Sequence, residues 1–293
     1  MQKQLIGPIV GYALYGLMAF VIFVYVLFPY DLLRQWLTET VSQGALQLSI
    51  TRLGPTFLPG LQLRQVRLTA KDRQVPGEML QLETIRLHPR LLPLLTGKLD
   101  ARFVGTLYDG RVTGRIQQAV LKGVAVWESQ MRFTAVDVAK HALIRQNGYI
   151  AVTGRLEGTA TATIRANGLL QRGEGDFRMK PAVFAPQKAA QLLLQRDLAC
   201  STMSGKVAMT AQQWQLQNLT CEGDDVFIDV RGTVRPHQPM ESSTLNLRFR
   251  LRSVTAFKRE LALLGTLVRR SPDRRGELMF GLRGSFLHPR PVR

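Results

Sequence analysis

Residues 245–252 have the sequence Leu-Asn-Leu-Arg-Phe-Arg-Leu-Arg, in which apolar and polar side chains alternate. Successive side chains of a β-strand point to opposite faces, so this period of two predicts a strand with two unlike faces. One face carries the apolar residues Leu245, Leu247, Phe249 and Leu251. The other carries Asn246 and three cations, Arg248, Arg250 and Arg252. The segment therefore predicts a strand between an apolar surface and a basic one.

The same alternation recurs at 159–164, 226–231 and 278–283. Near 61–68 it slips by one residue, which predicts a β-bulge. Strands with one apolar face favour an antiparallel sheet over a parallel sheet that is covered on both sides. Helical spacing predicts four short helices between the strands, at 89–96, 137–145, 187–198 and 254–270. The fold class is thus mainly β, with an antiparallel sheet and short helices.

The first thirty residues differ from the rest of the chain. From Leu5 to Tyr30 there is no charged side chain, and a bilayer core of about 30 Å needs about 20 helical residues. A buried core helix of this length would normally show a polar face. A cleaved signal peptide usually has a shorter apolar region, although a small-residue site exists at 42–44. We predict a retained transmembrane helix.

Flanking charges give this helix a weak orientation. Lys3 precedes it, whereas Arg34 after it is accompanied by Asp31 and Glu39. The positive-inside bias favours a cytoplasmic N-terminus, with the rest of the chain in a periplasm-like space. The predicted organisation is a short cytoplasmic N-terminus at 1–4, an anchor at 5–30, a connector helix at 31–44 and a β-rich periplasmic domain at 45–293.

The connector is expected to be amphipathic, with Asp31 as its N-cap and Gly44 beyond its end. Its apolar residues recur at helical spacing: Leu32, Leu33, Trp36, Leu37 and Val41. Two roles fit this stripe: contact with the membrane surface, or docking onto the domain that follows.

The composition limits the classes of function. With 45% apolar residues the chain is not a disordered polymer, and two cysteines exclude a disulfide-dense or four-cysteine zinc module. A net charge of +18 points to an anionic partner. An exported domain argues against nucleic acid. The basic residues Arg248, Arg250 and Arg252 are then expected to contact acidic protein or anionic lipid, or simply to be a solvated sheet face.

Cys200 and Cys221 are the only thiols in the chain. Two cysteines in an oxidising compartment tend to pair. The midpoint between them lies at Thr210 and Ala211, so a hairpin that turns there would place the two cysteines opposite each other. We predict a disulfide, and two separate buried thiols are the alternative.

No set of residues predicts catalysis. The four histidines, at 88, 141, 237 and 288, do not pair at helical spacing, and no nucleophile, phosphate-loop or dinucleotide motif is present. We expect no enzyme activity, no cofactor and no metal site.

Several segments resemble AsmA-like proteins. They are Phe28-Pro29-Tyr30-Asp31 with the short helix after it, 48–54, 59–63, the Leu-Leu-Thr-Gly-Lys-Leu return within 85–99, and 230–236 with 245–247. The short length, the single anchor and the closing segment 276–286 resemble, within that group, the type II secretion system protein N family. The likeness covers essentially the whole chain and rests on structural motifs, with no catalytic residues to carry over.

The resemblance implies an inner-membrane anchored, periplasmic and non-enzymatic component of type II secretion. It also implies a curved sheet that forms a groove, of the kind larger relatives are thought to use for lipids. The expected partners are other secretion components and the membrane, including anionic lipid, with no nucleic acid. The alternative function is that of an AsmA-like lipid-binding or lipid-transfer protein, with Leu245, Leu247, Phe249 and Leu251 in its groove.

Overall fold

The computed structural model describes most of the chain beyond residue 26. The described residues are 27–41, 46–56, 60–70, 78–90, 92–93, 96–121, 123–141, 144–145, 150–165, 170–187, 197–224, 226–237, 243–253, 271–273, 276–285 and 289–292, with single positions at 12, 15, 16, 19, 23, 262, 265 and 266.

One antiparallel sheet of 15 strands dominates the structure and confirms the predicted fold class in its coarse form. The strands, in chain order, are β1 Leu46–Pro55, β2 Leu61–Ala70, β3 Glu78–Pro89, β4 Asp100–Leu107, β5 Gly110–Leu121, β6 Val124–Asp137, β7 Ile150–Arg165, β8 Leu170–Pro186, β9 Leu198–Cys200, β10 Thr202–Thr210, β11 Trp214–Glu222, β12 Val226–Arg235, β13 Thr244–Ser253, β14 Glu277–Ser285 and β15 Pro289–Val292.

The topology is a meander in which strands adjacent in sequence are also adjacent in the sheet. The exception is β9, which pairs with β8 beside β10, so that β9 and β10 together extend along one side of β8. All four segments with period-two alternation lie within observed strands. The periodicity was sufficient to find these strands because each has one face that packs and one that is solvated.

The register aligns the apolar positions of successive strands into rows that cross the sheet. One row runs Phe103, Gly114, Met131, Ala160, Gly175, Val207, Leu216, Gly232, Leu247 and Leu282. Polar and charged residues dominate the opposite face of the same strands. We refer to these two surfaces as the apolar face and the polar face.

Glycines within the strands leave room for aromatic rings on the apolar face. A Cβ on Gly114 would lie 2.5 Å from Cζ of Phe103, and a Cβ on Gly205 would lie 2.6 Å from Cζ of Phe177. Each glycine is the cross-strand partner of the phenylalanine concerned. The rings therefore occupy the space that a side chain on the neighbouring strand would need.

The slip near 61–68 takes a different form from the predicted one-sided bulge. Gln65 has a φ of 50°, but Arg64 still faces Arg52 and Val66 still faces Ile50. The inward positions therefore shift on both strands together, at 50 and 53 on β1 and at 63 and 66 on β2. The apolar face stays continuous because the two strands change phase in step.

A two-residue turn joins β4 to β5. Its central residues, Tyr108 and Asp109, have φ values of 47° and 62°, as a type I′ turn requires. The Tyr108 hydroxyl accepts a hydrogen bond from the backbone N–H of Gln81 at 3.2 Å, and the side chain is buried. This contact ties the turn to β3.

A helix, α1 Tyr30–Val41, packs beside the edge strand β1. Its first backbone bonds go to the carbonyl of Pro29, so Asp31 lies in the first turn rather than at the N-cap. Leu37 packs against the cluster around Ile50, and Arg34 donates to the carbonyl of Thr51 at 3.2 Å. Leu37 therefore docks on the domain, one of the two roles expected for the stripe, whereas Leu32 is exposed.

Two of the predicted helices differ from the structure, and the other two lie largely outside the described residues. Strand β6 extends to Asp137 and Val138–Lys140 form a 3-10 turn, so the helix predicted at 137–145 begins too early, although residues 144 and 145 are helical. Strand β3 includes Pro89, which shortens the helix predicted at 89–96. Most of the segments 187–198 and 254–270, and most of the predicted anchor at 5–30, lie outside the described residues. Within the part that is described, no helix combines the length and the apolarity that a membrane span needs.

Candidate binding faces of the sheet

The four apolar residues singled out on β13 lie together on the apolar face. Phe249 is flanked by Val230 on β12 and by Phe280 on β14, and the two phenylalanine rings stack with centroids 5.0 Å apart and planes 4° apart. Leu247 is flanked by Gly232 and Leu282. The apolar strip of β13 is thus continued by apolar neighbours on both sides.

Burial along this strip is graded. Leu251 is buried, and its neighbour Leu278 on β14 is 0% exposed. Leu245, Leu247 and Phe249 are only half-buried. The strip is closed at the Leu251 end and offers accessible apolar surface toward Leu245.

The three arginines predicted to form a basic contact face are not equivalent. Arg250 donates to Oε2 of Glu277 from Nε at 3.0 Å and from Nη2 at 2.7 Å. That hydrogen bond raises the pKa of the Arg250 guanidinium. Because the Glu277 side chain is only 9% exposed, Arg250 neutralises a buried carboxylate, and its charge is used within the sheet.

The other two arginines are less engaged. The guanidinium of Arg252 lies 5.4 Å from the centroid of the Phe227 ring, in cation–π contact. Arg248 is exposed, and within the described part of the chain it makes no ion pair or hydrogen bond. It lines an open cleft of about 450 Å³ together with Arg231 and Arg283. Of the predicted basic face, Arg248 is therefore the residue best placed to meet an anion.

Cys200 and Cys221 form a disulfide, with their Cα atoms 5.6 Å apart. The hairpin reasoning behind their pairing is wrong in detail, because the register places Met203, not Cys200, opposite Cys221. Cys200 lies on β9 and faces Ala182 of β8. The bond therefore joins the end of β9 to β11, across the start of β10. Both cysteines are buried against Met179 and Ala182.

The most enclosed ionic cluster of the described residues centres on Asp100. Arg115 donates to it from Nε at 2.8 Å and from Nη2 at 2.6 Å, and Arg90 donates at 3.3 Å. The hydrogen bond from Arg115 holds the pKa of the Asp100 carboxyl below its ordinary value, against the opposing effect of burial. The pairing joins the end of β3 to β4 and β5, which is a structural role.

Metal-ligating side chains do not converge in the described ranges: no three of His, Cys, Asp and Glu come close enough to hold an ion. No family model, curated protein or solved structure matched the chain when it was compared with each of these three sets. The two faces of the sheet are therefore the features from which a function can be proposed.

The structure contains a second basic cleft that was not predicted from the sequence. Arg64, Arg86 and Arg111 line an open cleft of about 610 Å³ on the polar face of β2 to β6. Each arginine occupies a polar position of its own strand, so alternation alone could place it on that face. Their proximity depends on the register of four strands, which the sequence does not reveal.

Proposed function

We propose that this chain is an inner-membrane anchored periplasmic component of the type II secretion system, acting through protein and lipid contacts. The observation that carries the proposal is the single antiparallel meander with one continuous apolar face, which begins directly after the helix α1. This architecture agrees with the order of segments on which the resemblance to the type II secretion system protein N family rests. The protein acts as a scaffold, with no catalytic step.

The charge-free run, residues 5–30, is the proposed anchor. Four of its described side chains are large and project outward: Tyr12, Tyr15, Phe23 and Leu27 are 60–79% exposed. Apolar side chains around a helix without charges suit contact with lipid tails. The anchor holds the sheet close to the membrane surface, with α1 between the two.

The polar face provides the proposed contact with other secretion components. Arg248 lies in the middle of β13 and pairs with no acid among the described residues, whereas Arg250 is held by Glu277. An acidic protein surface would complement Arg248 and the nearby Arg231 and Arg283. Of these cations, Arg231 is already paired with Asp229 at 3.1 Å, so Arg248 contributes most.

Photo-crosslinking in cells tests this proposal with two adjacent positions. A photo-reactive amino acid at position 248 samples the polar face, and one at position 247 samples the apolar face of the same strand. The proposal expects position 248 to capture a protein of the secretion apparatus. Capture of cytosolic proteins alone from position 248 would contradict it.

The anchor has its own test. Membrane vesicles of known orientation are treated with a protease, with and without detergent. The β-rich domain is expected to be protected in inner-membrane vesicles that expose their cytoplasmic side, and to be cleaved after detergent is added. Cleavage without detergent would place the domain in the cytosol and reject the proposed location.

The second candidate function is that of an AsmA-like lipid-binding or lipid-transfer protein. The accessible apolar surface at Leu245, Leu247 and Phe249 favours it, because an apolar strip open at one end suits an acyl chain. Lipid extracted from the purified protein, together with lipid captured from position 247 but not from position 248, would support this function. Protein alone captured from both positions would count against it.

A further inference from the structure

The cleft lined by Arg64, Arg86 and Arg111, hereafter the arginine cleft, has the properties of an anion site. It is about 610 Å³ in volume and lies on the polar face of β2 to β6, apart from the cleft of Arg248 on β12 to β15. All three arginines are exposed. In the described part of the chain, none of them forms an ion pair or hydrogen bond.

The sheet register brings the three arginines around a floor of threonines. Arg64 faces Thr84, Thr84 faces Thr106, and Thr106 faces Arg111. Arg64 and Arg111 are thus three strand spacings apart, or about 14 Å. Arg86 is two residues beyond Thr84 on β3, so it points to the same face. Long side chains approaching from three sides can converge above Thr84 and Thr106.

Among the described residues that line this cleft, the one carboxylate is already hydrogen-bonded to a cation. Asp109 lines the cleft, but its carboxylate accepts a hydrogen bond from Lys140. That bond raises the pKa of the Lys140 amine, and the charges of Asp137 and Glu83 add to the effect. Lys140 therefore offsets the charge of Asp109, and among the described residues no carboxylate is bonded to any of the three arginines. Arg52, the cross-strand neighbour of Arg64, adds a fourth cation at the rim.

We propose that the arginine cleft binds a phosphate group, with guanidinium groups of Arg64, Arg86 and Arg111 around it and threonine hydroxyls below. Guanidinium donors match phosphate oxygens in pairs, and hydroxyls supply further hydrogen bonds. A phosphate monoester carries a charge of about −1.5 to −2 at neutral pH, so it suits several cations better than a single carboxylate does. The site does not depend on the proposed role in secretion.

A phosphate group fits this cleft better than an acidic protein surface. The arginines surround a concavity whose floor consists of small side chains and of backbone at Gly105 and Gly110. A compact tetrahedral anion can enter such a space and contact all three cations at once. Carboxylates spread over a protein surface would meet the arginines one at a time and leave the threonine floor unused. The phosphate can belong to a lipid headgroup or to a soluble ester.

Binding by the full-length chain in non-ionic detergent tests the proposal. One probe is inorganic phosphate; the other is phosphatidic acid in mixed micelles of the same detergent, with phosphatidylcholine micelles as the blank. Calorimetry measures both. We expect saturable binding of at least one probe. Loss of one guanidinium in R86Q is expected to weaken it about tenfold, and R64Q/R86Q/R111Q to abolish it. Binding of inorganic phosphate alone indicates a soluble ester; binding of phosphatidic acid, with or without binding of inorganic phosphate, indicates a lipid headgroup.

The control is R178Q, which removes an exposed arginine from the polar face of β8, away from the cleft. It lowers the net charge as much as R86Q does and is expected to leave binding unchanged. Equal weakening by R178Q and R86Q would overturn the proposal, since net charge alone would then explain binding. Absence of saturable binding to both probes would also overturn it. An unchanged thermal unfolding midpoint in each variant excludes misfolding as the cause.

Discussion

The ring of Phe103 lies over Gly114 on the next strand, so closely that a Cβ on the glycine would come within 2.5 Å of Cζ. The same Cβ would lie 2.3 Å from the backbone carbonyl oxygen of Gln130 on the other side. Gly114 is thus confined by a ring on β4 and by the backbone of β6. An added methyl group can be accommodated only if one of these moves.

We therefore expect G114A to destabilise the protein by about 2 kcal/mol, the range found for overpacked sites. Gly54 on β1 is the matched control, because nothing lies within 4 Å of its added Cβ. G54A should change stability by less than about 0.5 kcal/mol. Urea unfolding midpoints of the two variants make the comparison. Equal midpoints would show that Phe103 does not fill the space above Gly114.

The apolar strip of β13 and β14 predicts two unequal truncations. Leu278 is fully buried, so L278A should cost about 3 kcal/mol through lost burial and a cavity. Leu247 is half-buried at the accessible part of the strip, so L247A should cost only about 1 kcal/mol. Thermal or urea unfolding measures both variants. A larger loss for L247A would mean that the strip is covered at Leu247 rather than open.

The disulfide predicts a redox-dependent stability. The bond links two residues with a sequence separation of 21. In the chain-entropy model, closing a loop of this length increases the free energy of unfolding by about 3 kcal/mol. Reducing agent should lower the urea midpoint of the wild-type protein by the corresponding amount. The C200A/C221A variant should start near that lowered midpoint and show no response to the reductant. A response in the double variant would locate the effect outside this bond.

The Asp100 cluster predicts a pH dependence. Since Arg115 lowers the pKa of Asp100 in the folded state, its contribution to stability is complete above the unfolded value of about 4. The contribution is lost as the pH falls through the depressed folded value. The stability difference between wild type and D100N should thus be present at neutral pH and should vanish in strong acid. Unfolding midpoints across this range give the difference.

The control for this prediction is E174Q. Glu174 pairs with Arg172 at the surface, with both side chains more than half exposed, and such pairs contribute little. E174Q should therefore follow the wild-type pH profile. A gap between wild type and D100N that widened in acid would contradict the role assigned to Asp100.

The sequence was sufficient where a single strand carries the information. The alternation from Leu245 to Arg252 correctly assigns each side chain to one of two faces, because pleating imposes the period of two. It could not reveal that Arg250 meets Glu277, which comes from the next strand after a long connection. Partner identity depends on register, and register is a property of two strands.

The disulfide illustrates the same limit. A symmetric turn between Cys200 and Cys221 would have placed them opposite each other, but the observed turn follows Thr210, whose N–H bonds to the carbonyl of Gln213. A register shift between Lys206 and Val207 displaces the pairing further. Turn length and bulge position arise from packing of the whole sheet. The arginine cleft is formed by four strands, and for the same reason it could not be predicted from the sequence.

The meander also has an evolutionary corollary. Because the main path of the sheet links neighbours in chain order, a hairpin gained or lost near either end would disturb few existing pairs. Sheets of this design can change length by whole increments while the remaining rows stay in register. A gene encoding such a chain could therefore lengthen or shorten the apolar face of the sheet through tandem duplication or deletion, while keeping the same fold.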